Sequence, residues 1–99
     1  MRVPVVQRRD YTISLEVDGA KTFAHCDVAR WSAAAARALR ADWNVLLALH
    51  GGPIYSVTAA TEPRDYAKWC RFVTMFGFRF YATVVTDDGV RRSVYVTGK

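Results

Sequence analysis

KWCRFVTMFGFRFYATVV, residues 68–85, carries two periodicities that meet at one glycine. Before Gly77 the apolar residues Tyr66, Trp69, Cys70 and Val73 recur at helical spacing. Arg64, Lys68 and Arg71 recur at i, i+4 and i+7 on the opposite face. After Gly77 the chain is rich in aromatic and β-branched residues, which favour a pleated strand. A glycine at this junction supplies the left-handed residue that ends a helix, a conformation that costs other L-residues about 1–2 kcal/mol. Phe78, the next residue, is then placed to pack back on Val73. The strand therefore returns along the apolar face of its own helix.

The flanking segments extend this pattern. Residues 33–50 read as a long helix capped by Ser32 and stopped by Gly51-Gly52-Pro53. Ala35, Ala36, Leu39, Trp43, Leu46, Leu47 and His50 share one face, with Arg37, Arg40 and Asn44 on the solvated side. Residues 54–59 read as a short central strand. Thr61 is the expected cap of the second helix, with Pro63 in its first turn. Residues 78–86 and 90–97 form a closing hairpin around Asp87-Asp88-Gly89.

Upstream, YTISLEV at 11–17 alternates cleanly, and Asp18-Gly19 marks a two-residue hairpin turn. That turn predicts the pairs Val17–Ala20, Leu15–Thr22, Ile13–Ala24 and Tyr11–Cys26, with His25 opposite Thr12. Thr12, Ser14, Glu16, Lys21 and His25 would make one face polar, with Phe23 as its exception. Residues 3–8 read as a first strand at a sheet edge, because Pro4 cannot donate a ladder bond. The expected architecture is one α/β (α+β) domain over residues 1–99. It has a mixed, mainly antiparallel sheet and two helices, in the order β-β-β-α-β-α-β-β.

Composition narrows the function. With 52% hydrophobic residues among 99, the chain supports a packed globule and not a disordered segment. No apolar run is long enough to cross a membrane, and the first residues lack an apolar signal core. The expectation from these residues is a cytoplasmic protein that is not secreted. Fourteen Lys and Arg against nine Asp and Glu give +5, enough for loose attraction to acidic partners but dispersed along the chain. Weak, non-specific nucleic-acid binding is the most this charge implies.

His25-Cys26 does not form a nucleophile pair, since neighbouring strand residues face opposite ways. Cys26, Cys70, His25 and His50 lack the paired spacing of a zinc site, so no metal is expected. Trp31 reads as a packing anchor before the helix.

The order of elements and the sequence Phe76-Gly77-Phe78 resemble the C-terminal part of the GCN5-related N-acetyltransferase (GNAT) fold. The second helix of that fold commonly ends in an aliphatic-Gly-Phe sequence. The basic-aromatic run from Arg71 to Gly77 is similar to that of small GNAT-like proteins of tailed phages, some of them internal virion proteins. The resemblance implies a phosphate-binding loop at Arg30, Ser32, Ala33, Ala34 and Ala35, opening the long helix. Acetyl-CoA is the cofactor that this loop would hold. Two positions depart from the family pattern. Ala33 stands where a glycine would let backbone approach phosphate, and Val73 stands where the family has its general-acid tyrosine. No catalytic residue is therefore assigned, and the family's two N-terminal helices have no counterpart in these residues. The expected role is non-catalytic and protein-binding, in virion assembly, the internal core or host interaction. Its contact surface is Arg64, Lys68, Arg71, Phe72 and Met75. The alternatives are a minimal N-acyltransferase and a basic nucleic-acid-binding accessory protein. A homodimer through the edge at residues 3–8 is also expected.

Overall fold

A computed structural model describes residues 1–58 and 63–98. The elements follow the expected order: β1 (Arg2–Gln7), β2 (Tyr11–Asp18), β3 (Lys21–Val28), α1 (Ala33–His50), β4 (Ile54–Val57), α2 (Pro63–Met75), β5 (Arg79–Val85) and β6 (Arg91–Thr97). They form one six-stranded sheet in the order β1-β2-β3-β4-β6-β5, with the β3–β4 pair parallel and the other pairs antiparallel. β4 is central and β1 is an edge, as the sequence implied.

The connections β3-α1-β4 and β4-α2-β5 both advance in the same direction across the sheet. Right-handed crossovers therefore place both helices on one face. The main core lies there: Tyr11, Ile13 and Ile54 from the sheet pack with Leu39, Trp43, Val73, Phe76 and Phe78. Among the described residues, no helix covers the opposite face. It is less polar than expected, because β4 and β6 bring Tyr55, Val94 and Val96 together into a second cluster flanked by Phe23 and Val57. Tyr81 meets the Tyr55 ring edge-on at 5.2 Å, and Ser14 is buried instead of solvated.

Gly77 ends α2 as the sequence required. Its φ is +86°, Phe78 N–H donates to the Val73 carbonyl (3.2 Å) and Gly77 N–H donates to that of Thr74 (3.1 Å). This is a Schellman motif, which satisfies carbonyls at the helix end and turns Phe78 into the core. The Thr61 cap lies outside the described residues.

The first hairpin corrects one expectation. Asp18 pairs with Lys21, Leu15 with Ala24, Ile13 with Cys26 and Tyr11 with Val28, two residues from the predicted register. The two central turn residues are Gly19 and Ala20, and Gly19 takes φ +62° while no non-glycine residue among those described has positive φ. A turn with its positive φ at the first central position needs glycine only there. The predicted Asp18-Gly19 turn would also have forced Asp18 into that region. Because the slip is two residues, each side chain keeps its face, and His25 stands opposite Ser14 instead of Thr12. His50, expected on the buried face of α1, is exposed at the helix end.

An ion pair that the sequence did not announce ties β1 and β2 to α1. Arg8 grips Asp42 with two hydrogen bonds of 2.9 Å each, and the Tyr11 hydroxyl donates to the same carboxylate. Arg8 first, then Tyr11, holds the Asp42 carboxyl below its ordinary value. Burial, then the bond to Asp42, pushes the Tyr11 phenol up to about 12. A lowered folded pKa stabilises above the unfolded carboxylate pKa of about 4, and that stability is lost as pH falls through the folded value. Glu16 and Asp88, also lowered by hydrogen-bonded partners, act in the same direction. The denaturant midpoint should therefore decline on acidification below about pH 4, and less steeply in Asp42→Asn. Equal slopes for the two proteins would show that the carboxylate is not bonded this way.

Candidate functional site: the opening between β3 and β4

β3 and β4 are parallel but share a single matched pair, Phe23 with Tyr55. Beyond it their carboxyl ends diverge. β3 runs on through Ala24–Val28 into α1, while β4 ends at Val57. Such a separation leaves strand backbone unpaired and opens a crevice at the carboxyl ends, where open sheets commonly take ligands.

A cavity of about 310 Å³ occupies this position. His25, Cys26 and Asp27 line it from β3, and Ser56 and Val57 line it from β4. Leu39 and Trp43 line it from α1, and Trp69, Phe72 and Val73 from α2, with Phe76 and Phe78 beyond the helix end. Most of this wall is apolar. The Cys26 thiol is pushed up to about 11, chiefly by burial, so it stays protonated and unreactive near neutrality. His25 borders the cavity only where the strand itself does, because its imidazole lies on the other side, with Nε2 2.9 Å from Glu16 Oε1. The two side chains of His25-Cys26 thus point apart, as the strand alternation implied.

The N-terminus of α1 stands at the carboxyl end of β3. Ser32 Oγ accepts from Ala35 N–H (3.0 Å). Ala33 and Ala34, the first two helical residues, contribute N–H groups that have no intrahelical acceptor. Arg30 is exposed, and its N–H donates to the Asp10 carbonyl (3.1 Å), which pins the loop before the helix. The residues expected to hold a phosphate are therefore gathered at one helix end. Ala33 places a methyl group where the family pattern has none. Ser32 itself takes up one of the N–H groups.

Val73 is 4% exposed inside the main core. Polar groups of α2 are engaged elsewhere: Tyr66 donates to Ser93 Oγ (3.0 Å), and Cys70 Sγ lies 3.4 Å from the Tyr95 hydroxyl. The contact with Cys70, then Tyr66, raises the Tyr95 phenol well above its ordinary value. Sequence reading missed Ser93 and Tyr95 as partners of α2. Their signal is the alternation Ser93, Tyr95, Thr97, which sets three polar-tipped residues on the helix-facing side of β6.

The residues expected to meet a partner are divided. Arg64, Lys68 and Arg71 are exposed, and Met75 is 44% exposed. Phe72 is turned inward. It packs edge-on against Phe76 (5.1 Å) and Trp31 (5.8 Å) and lines the cavity. Trp31 is thus an anchor through Phe72, though half of it is exposed. Among the described residues no cluster of three metal-ligating side chains exists, and no helix is long and apolar enough to cross a membrane. No family model, curated protein or solved structure matches this chain.

Proposed function

We propose that this chain is a non-catalytic GNAT-like domain with a structural or protein-binding role. Its resemblance to the small GNAT-like proteins of tailed phages suggests where: virion assembly, the internal core or host interaction. The observation that carries this reading is Val73. The position that a proton donor would occupy is filled by an apolar side chain packed with Trp43, Phe76 and Phe78, so it contributes stability in place of chemistry. Cys26 in the cavity wall supports the same reading, because burial holds it as a thiol, and the His25 imidazole is engaged by Glu16 on the other side of β3. The exposed cations Arg64, Lys68 and Arg71, with Met75 beside them, suit an acidic protein surface with an apolar spot.

A second reading rests on the divergence of β3 and β4. A crevice beside a helix N-terminus fits the pantetheine arm and pyrophosphate of acetyl-CoA, and a minimal N-acyltransferase would use it. Release of free coenzyme A from acetyl-CoA, assayed with a panel of amines, separates the two. The first reading expects no release above the protein-free rate. Saturable release that requires the protein would establish the second.

A further inference from the structure

We propose that the protein forms a homodimer by antiparallel pairing of β5 with β5 of a second copy. β5 (Arg79–Val85) is one of the two sheet edges. From Phe80 to Thr86 it contains no charge and no proline. Phe80, Tyr81, Val84 and Val85 are 55%, 41%, 36% and 67% exposed. An uncharged, apolar edge of this kind is what soluble proteins ordinarily blunt or cover.

The backbone gives the register. Thr86 N–H donates to the Val90 carbonyl, which makes that pair hydrogen-bonded, so by alternation Val84 and Ala82 also face β6. Thr83 and Val85 therefore direct their N–H and C=O groups outward. The bulge between Phe80 and Ala82 lies at the start of the strand and leaves Ala82–Val85 regular.

Charge selects a second copy as the occupant. The strand begins on Arg79 and its turn contains Asp87. Two copies paired antiparallel about Thr83 bring the Arg79 end of each strand towards the Asp87 turn of the other, whereas a parallel partner of the same sequence would bring like charges together. The other edge is less suited. β1 has Pro4, a bulge between Pro4 and Val6, and flanking arginines at 2 and 8. A strand-edge interface this short buries less than a standard-sized one, so the dimer should be weak and visible only at high concentration.

Sedimentation equilibrium from about 10 to about 500 µM tests this, with Val85→Lys and Val5→Lys as variants and the thermal midpoint as the control for folding. Both positions are exposed, so both variants should fold. The expected result is a dimer that grows in with concentration, persists in Val5→Lys and weakens at least about tenfold in Val85→Lys. Amide exchange at Thr83 and Val85 should slow as the dimer forms. A strict monomer at about 500 µM overturns the proposal, and so does a dimer that survives Val85→Lys. Loss in Val5→Lys alone would move the interface to β1.

Discussion

Trp43→Ala should lower the unfolding free energy by about 3–5 kcal/mol, the range for truncating a buried aromatic. Trp43 is 5% exposed and joins α1 to the link between α2 and β5. Its ring stacks on Phe78 (5.3 Å between centroids, 26° between planes), and its Nε1 donates to the Phe76 carbonyl (3.1 Å). Truncation empties the space between α1 and the end of α2 and removes that donor. For a domain whose whole stability is about 5–15 kcal/mol, the loss would bring the protein close to unfolding at room temperature. Trp43→Phe keeps the stack and loses only the donor, so it should cost less, about 1–3 kcal/mol. Urea denaturation of both variants checks the pair. Equal losses would mean that the hydrogen bond, not the packing, joins the helices.

Gly77→Val is the second large effect. A residue at φ +86° must accept the left-handed region, which costs an ordinary L-residue about 1–2 kcal/mol and a β-branched one more. A Cβ there would stand 3.4 Å from Thr97 Oγ1, an ordinary contact, so the cost comes from the backbone conformation. The expected order of stability is wild type, then Gly77→Asn, then Gly77→Val, because asparagine tolerates this conformation best among side-chain-bearing residues. A denaturant midpoint unchanged in Gly77→Val would show that the chain does not reverse at this residue.

These two residues mark what could be read from sequence. Gly77 was legible because a helix stop is local: the Schellman bonds span only Val73 to Phe78. The helices, the closing hairpin and the two edge-to-centre placements of β1 and β4 were legible for the same reason, being set by periodicity and turn residues. The first hairpin slipped because glycine at position 19 fits two turn types, and only the backbone shows which residue carries the positive φ. The Arg8–Asp42–Tyr11 contact joins residues 34 and 31 positions apart, and no local pattern announces it. The second cluster on the helix-free face was hidden for a related reason. Tyr55 and Val57 alternate like any half-buried strand, and only their pairing with Val96 and Val94 makes the face apolar.

The candidate site divides in the same way. The sequence placed Arg30 to Ala35 at a helix start, where Ser32 caps it. It did not show the divergence of β3 and β4. Only the pairing shows that the match stops after Phe23 and Tyr55, a relation between segments more than thirty residues apart. Phe72 was grouped with the contact surface because it stands beside Met75 near the basic side of the helix. The ring instead fills the space beside Trp31 and Phe76.

Titration of the labelled protein with acetyl-CoA, followed by backbone amide shifts, tests the central claim most directly. The account predicts no saturable shift in residues 24–28 or 31–36 at micromolar ligand, because Ala33 carries a methyl group where the resembled family has glycine and Ser32 already takes up the Ala35 N–H. Saturable shifts confined to those two segments would contradict it, and would make the opening between β3 and β4 a working cofactor site.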